Sequence, residues 1–166
     1  MSSSYERGRK AEEAAKEWLQ SKFEVSFSER DLQVGDKSDG KPAMHSFDLV
    51  SEDGQTVAEV KSHQLTKSGN IPSGKISDTY KACLMLEKVD ARKKFLILTD
   101  SKFYDLFKRY SNGKISKQIE ITLLSNEKCE RRPSSVETRP LSSRIEVSEK
   151  DDFNIFWSKV ASWLSK

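Results

Sequence analysis

A chain of 166 residues suits one domain with a small extension. Charged residues make up 33% of it and hydrophobic ones 35%, and no apolar run approaches the ~20 residues a helical membrane span needs, so such a span is excluded. A net charge of +3 permits a polyanionic partner without requiring one, and two distant cysteines, Cys83 and Cys129, exclude a disulfide scaffold or a four-cysteine zinc site.

The first residues hold no apolar stretch of the kind a secretory signal needs, so a cytoplasmic location with reduced thiols is expected. Ser3 and Glu6 make an S-x-x-E pattern, which satisfies free backbone N–H groups at a helix start. A helix follows from about Ser4 to Lys22, its stripe of Ala11, Ala14, Ala15, Trp18 and Leu19 at helical spacing. Phe23, Val25 and Phe27 then alternate as in a half-buried strand. Residues 29–45 are polar, with Gly35, Gly40 and Pro42, and are expected to form a long loop. Phe47–Val50 is a second strand and Thr56–Lys61 a third, joined by an Asp53-Gly54 turn of the type I′ kind.

Loop 62–76 leads to a helix capped by Ser77 or Asp78 and running to about Val89, apolar nearly all round. Phe95–Thr99 is a fourth strand, Ser101–Tyr110 a helix, and Ile119, Ile121 and Leu123 alternate in a fifth strand. Residues 125–143 make a polar loop, Arg144–Val147 a short strand, and Asp151–Ser165 an amphipathic helix. The fold class is therefore α/β, with a mixed central sheet flanked by helices, in the order αβββαβ and then a C-terminal helix. The expected organisation is one domain over 1–166, with a core at about 5–110 and an extension at about 114–166.

The hairpin places two acids together. With Asp53-Gly54 at the turn, Glu52 faces Gln55, and counting outward sets Asp48 opposite Glu59, with Cβ atoms roughly 4.5–5.5 Å apart. A four-residue loop keeps that register. Facing like charges are destabilising unless something offsets them, and a divalent cation would. Lys61 shares the face of Glu59, where an ammonium would hold a water or offset charge on a phosphate. On the first helix, Glu12 lies on the flank of the apolar stripe and can lean toward the sheet edge, with Gly8 one turn earlier leaving room for a metal or a backbone.

These residues carry a family likeness. The order αβββαβ with Asp48, Glu59-Val60-Lys61 and an upstream Gly8-Arg9-Lys10-Ala11-Glu12 resembles the PD-(D/E)xK nuclease superfamily, with its restriction-endonuclease-like core. Small members such as archaeal Holliday junction resolvases are the nearest likeness, over about residues 5–99. Phe47 stands where the family often has proline, and loop 29–45 is longer than in compact resolvases. The resemblance implies that Asp48 and Glu59 are metal ligands, with the carbonyl of Val60 adding an oxygen and Glu12 completing the site. It implies that Lys61 orients or activates the water nucleophile. The implied reaction is Mg²⁺-dependent hydrolysis of a DNA phosphodiester, with Mn²⁺ able to substitute. Since members that cut two strands often pair, it also allows a homodimer.

Two other readings stay open: a nuclease-like domain that binds nucleic acid or a protein without cutting, and a solvated ladder of ion pairs. D/E-x-K occurs three times, at Asp39-Gly40-Lys41, Glu59-Val60-Lys61 and Asp100-Ser101-Lys102, and only the Glu59 copy lies in a β-rich run with an acid opposite. His63, Lys67 and Lys75 follow the site closely and are candidate phosphate-backbone contacts. His45 is expected to be plain loop.

Overall fold

A computed structural model describes residues 3–66 and 72–125. Helix α1 spans Ser4–Phe23. Its start is the expected reciprocal cap: the Ser3 hydroxyl accepts the Glu6 N–H at 3.1 Å, and the Glu6 carboxylate accepts the Ser3 N–H at 3.0 Å. It ends at Glu24, which turns left-handed (φ 56°) and donates its N–H to the Gln20 carbonyl. Phe23 is therefore the last helical residue rather than the first of a strand.

Five strands follow: β1 Phe27–Asp36, β2 Pro42–Ser51, β3 Thr56–Lys61, β4 Lys93–Leu98 and β5 Ile119–Leu123. They form one sheet in sequence order, antiparallel from β1 to β3 and parallel from β3 to β5. Helices α2 (Ser73–Lys88) and α3 (Ser101–Ser111) make the two parallel crossovers. The fold is thus α/β, a mixed sheet flanked by helices, with αβββαβ followed by α3 and β5. No helix among the described residues is long and apolar enough to cross a membrane.

The two faces of the sheet are packed differently. Ala11, Ala15 and Leu19 of α1 cluster with Phe27, Leu49, Ala58, Val60, Phe95 and Ile97. Two alanines on the contact stripe keep the helix close to the sheet, and Leu19, fully buried, contributes about 2 kcal/mol by leaving water. Leu96 and Leu98 alternate with Phe95 and Ile97, so they face the other side, where α2 and α3 lie. There Tyr80 packs on Phe107 with ring centres 5.2 Å apart and donates its hydroxyl to the Tyr110 carbonyl.

Several expectations are corrected. Residues 29–45 are not a loop: β1 reaches Asp36 and β2 starts at Pro42, in one long hairpin closed by a turn at Lys37–Lys41 with Gly40 at φ 77°. Its outer part exposes one face and only half-buries the other, where Leu32 and Val34 alternate with Asp31 and Gln33, an apolar alternation too short to stand out from its polar, glycine-containing surroundings. Helix α2 begins at Ser73, not Ser77 or Asp78. Pro72 takes the cap position and its carbonyl accepts from Lys75 and Ile76. Nor is α2 buried all round, since it buries Ile76, Thr79, Ala82, Cys83 and Leu86 on one face and leaves Leu84 exposed.

The turn after β2 is also different. Gly54 N–H bonds the Ser51 carbonyl, so Glu52 and Asp53 are the central residues and only Gly54 has positive φ, 71°. The Asp53 carboxylate favours this shape by accepting the Ser51 hydroxyl at 2.6 Å and the Gln55 N–H at 3.0 Å. Four residues now separate β2 from β3, and the register survives: Leu49 pairs with Ala58 and Val50 with Val57. The elements expected at 144–147 and 151–165, and all but Ser125 of the polar loop 125–143, lie outside the described residues.

Candidate functional site

One irregularity of the sheet builds the site. Ser28 pairs with Val50 but Arg30 pairs with Phe47, so Asp48 and Leu49 both stand against Glu29. This is a β-bulge in β2, and a bulge re-aims side chains while increasing the local twist. From Phe47 backward the alternation is shifted by one, which turns His45 to the side of Glu59.

Glu59 is the centre of the cluster, buried at 3% exposure in the middle of β3. Lys61 donates its ammonium to Oε2 at 3.0 Å, and His45 Nε2 meets Oε1 at 2.8 Å. His45 is held in place edge-on against Phe47, ring centres 4.7 Å apart. Asp48, at the bulge, accepts the Val60 N–H at 2.7 Å and so closes the hairpin with its side chain where the backbone ladder stops.

The Asp48 and Glu59 carboxylates act on each other electrostatically. Burial, and next the repulsion of Glu59, push the Asp48 carboxyl up to about 6; Lys61 and the Val60 N–H oppose this, and Glu12 adds to it. Burial alone would lower the Lys61 ammonium, but Glu59 and Asp48 outweigh it and raise the group above its ordinary value. Lys61 therefore remains a cation and a donor, and is not suited to take a proton.

Glu12 is exposed on α1 and lines the cleft that contains Asp48, together with Arg9, Lys16 and Glu29. Gly8 does not serve a close approach, because nothing lies within 4 Å of a Cβ placed there. His63 lies just past β3, bonded through Nε2 to Asp78 at 3.0 Å and packed edge-on against Phe103; burial, partly countered by Asp78, lowers its pKa. Lys75 lies in the first turn of α2 and donates to the Gln64 carbonyl at 2.6 Å. Lys67 lies outside the described residues.

Of the expected site residues, Asp48, Glu59, Val60 and Lys61 come together, with Glu12 across the cleft. The other two D/E-x-K copies are local chemistry. Asp39 and Lys41 pair across a turn at 3.3 Å, and Asp100 caps α3 by accepting the Phe103 N–H at 2.8 Å. His45 and Glu29 were missed. Both lie in the segment expected to be loop, and no spacing in the sequence announces a bulge.

The donor set suits a hard divalent cation. Magnesium usually takes one or two carboxylates from a protein, the remaining positions going to water and phosphate. The raised Asp48 carboxyl comes first from burial and next from Glu59, and a cation beside it would favour its charged form. Among the described residues, no three His, Cys, Asp or Glu side chains are gathered into a ready ligand group. No protein-family model matches the chain, and no curated protein and no solved structure matches it either.

Proposed function

We propose that the protein is a metal-dependent DNA endonuclease working through Asp48, Glu59 and Lys61. One observation carries this reading: two neighbouring carboxylates, one pushed up to about 6 by burial and by the other, share a site with a lysine held in its charged form. Perturbed carboxylates with a specific charged partner are a mark of functional sites. The family likeness of the sequence supports the same assignment.

In this reading Asp48 and Glu59 would hold Mg²⁺ or Mn²⁺, with the Val60 carbonyl and Glu12 adding oxygens. The cation would supply Lewis acidity toward a phosphoryl oxygen. The chain's own residues then do the rest. Lys61, charged and fixed by Glu59, donates to the attacking water or to a phosphate oxygen. Asp48 keeps β2 and β3 joined at the site through Val60. His63 and Lys75, beyond the end of β3, are candidates for the phosphate backbone beside the cleaved bond, as is Lys67. DNA is thus the proposed partner, with a homodimer required only if two strands are cut together.

The second reading, a nuclease-like domain that binds without cutting, is favoured by a different observation. Both oxygens of Glu59 already have partners, Lys61 and His45, so the cluster is satisfied without an added ion. The test separates the two. Purified protein is incubated with supercoiled, linear, single-stranded and branched DNA, with Mg²⁺, Mn²⁺ or EDTA. Cleavage that needs metal and disappears in Asp48→Ala and Glu59→Ala supports the enzyme. DNA binding without cleavage on any substrate supports the binding domain and removes the enzymatic reading.

A further inference from the structure

We infer that His45 is the positioning residue for Glu59, fixing the orientation of that carboxylate toward a bound divalent cation. The inference rests on the reading of Asp48 and Glu59 as cation ligands. It adds a residue that neither the D/E-x-K motif nor strand alternation contains.

The geometry runs from the backbone upward. The bulge at Asp48 and Leu49 shifts the alternation of β2, and only with that shift does His45 reach Glu59. The contact is short, 2.8 Å, and Glu59 is buried, so the bond is sheltered from competing water. In its ion pair with Lys61, Glu59 is an acceptor only, which makes Nε2 of His45 the donor. Phe47, edge-on to the imidazole, fixes the ring plane.

The consequence is orientation. A carboxylate has about four lone-pair positions on its two oxygens. Lys61 takes one on Oε2 and His45 one on Oε1, so the side chain cannot rotate and the positions left over point in fixed directions. Groups of this kind behind a metal ligand typically change metal affinity or activity by 10–100-fold when removed.

The test measures Mn²⁺ binding by calorimetry and by electron paramagnetic resonance on the full chain, with no DNA present. His45→Phe keeps the ring packing on Phe47 but cannot donate; His45→Gln can donate. Circular dichroism checks that each is folded. Expected are a loss of about 10-fold or more in Mn²⁺ affinity for His45→Phe, recovery of most of it in His45→Gln, and loss of binding in Asp48→Ala. Wild-type affinity in His45→Phe, beside lost binding in Asp48→Ala, overturns the role of His45 and leaves the site standing. Equal weakening in His45→Gln and His45→Phe also overturns it, since donation would then not matter. No Mn²⁺ binding by the wild-type chain overturns both this inference and the metal site beneath it. If His45→Phe does not fold, His45→Gln against His45→Leu makes the same comparison.

Discussion

Replacing Asp48 by asparagine should make the protein more stable at neutral pH while removing the proposed DNA cleavage. The Asp48 carboxyl is raised from 3.8 to about 6, so the folded state holds its proton more tightly than the unfolded chain does. The stability this gives is fully present below pH 3.8 and is lost as pH rises through about 6. A shift of about two units is worth ~3 kcal/mol, and partial solvent contact at the cleft brings the expected gain at pH 8 to about 2 kcal/mol. Asparagine keeps the shape and an oxygen for the Val60 N–H, so the hairpin closure survives. Denaturant unfolding in EDTA at pH 4 and at pH 8 measures it: the variant and wild type should differ little at pH 4, with the variant ahead at pH 8 and melting higher by roughly 4–8 °C. Magnesium at a hundred times its dissociation constant should then stabilise the wild type by about 2.7 kcal/mol and leave the variant unchanged. A variant less stable than wild type at pH 8 would refute the reasoning, because the charge of Asp48 would then be compensated within the protein.

Lys61→Ala leaves Glu59 buried with His45 as its remaining partner, and should cost about 3 kcal/mol in chemical denaturation. In the same variant, DNA cleavage should fall roughly 10²–10³-fold, with gel-shift affinity for DNA little changed. Gly54→Ala meets no atom within 4 Å, so its cost is purely the strain of φ 71° in an L-residue, about 1 kcal/mol, read as a lower denaturation midpoint with cleavage retained. Leu19→Ala, under the sheet and away from the cluster, should cost about 3 kcal/mol and leave metal binding as it was.

The sequence by itself determined the order of the elements among the described residues and the hairpin register. Helix periodicity, the Ser3–Glu6 cap and the short apolar runs of β3 and β4 are local signals, and local physics sets them. The register held even though the turn was of another kind, because both loops leave the same residues opposite each other across β2 and β3. That is why Asp48, Glu59 and Lys61 were legible as a group. Tertiary structure alone decided the rest. Residues 29–36 and 42–45 are strand because β1 and β2 pair with each other, and the apolar trace of that ribbon, Leu32 and Val34 two apart, is too short to mark it among polar neighbours. The bulge at Asp48 exists only as a mismatch between two strands, so no single stretch of chain encodes it. Through that mismatch His45 leaves its expected loop and reaches Glu59, since side-chain direction in a sheet depends on the partner strand as well as on the count along its own.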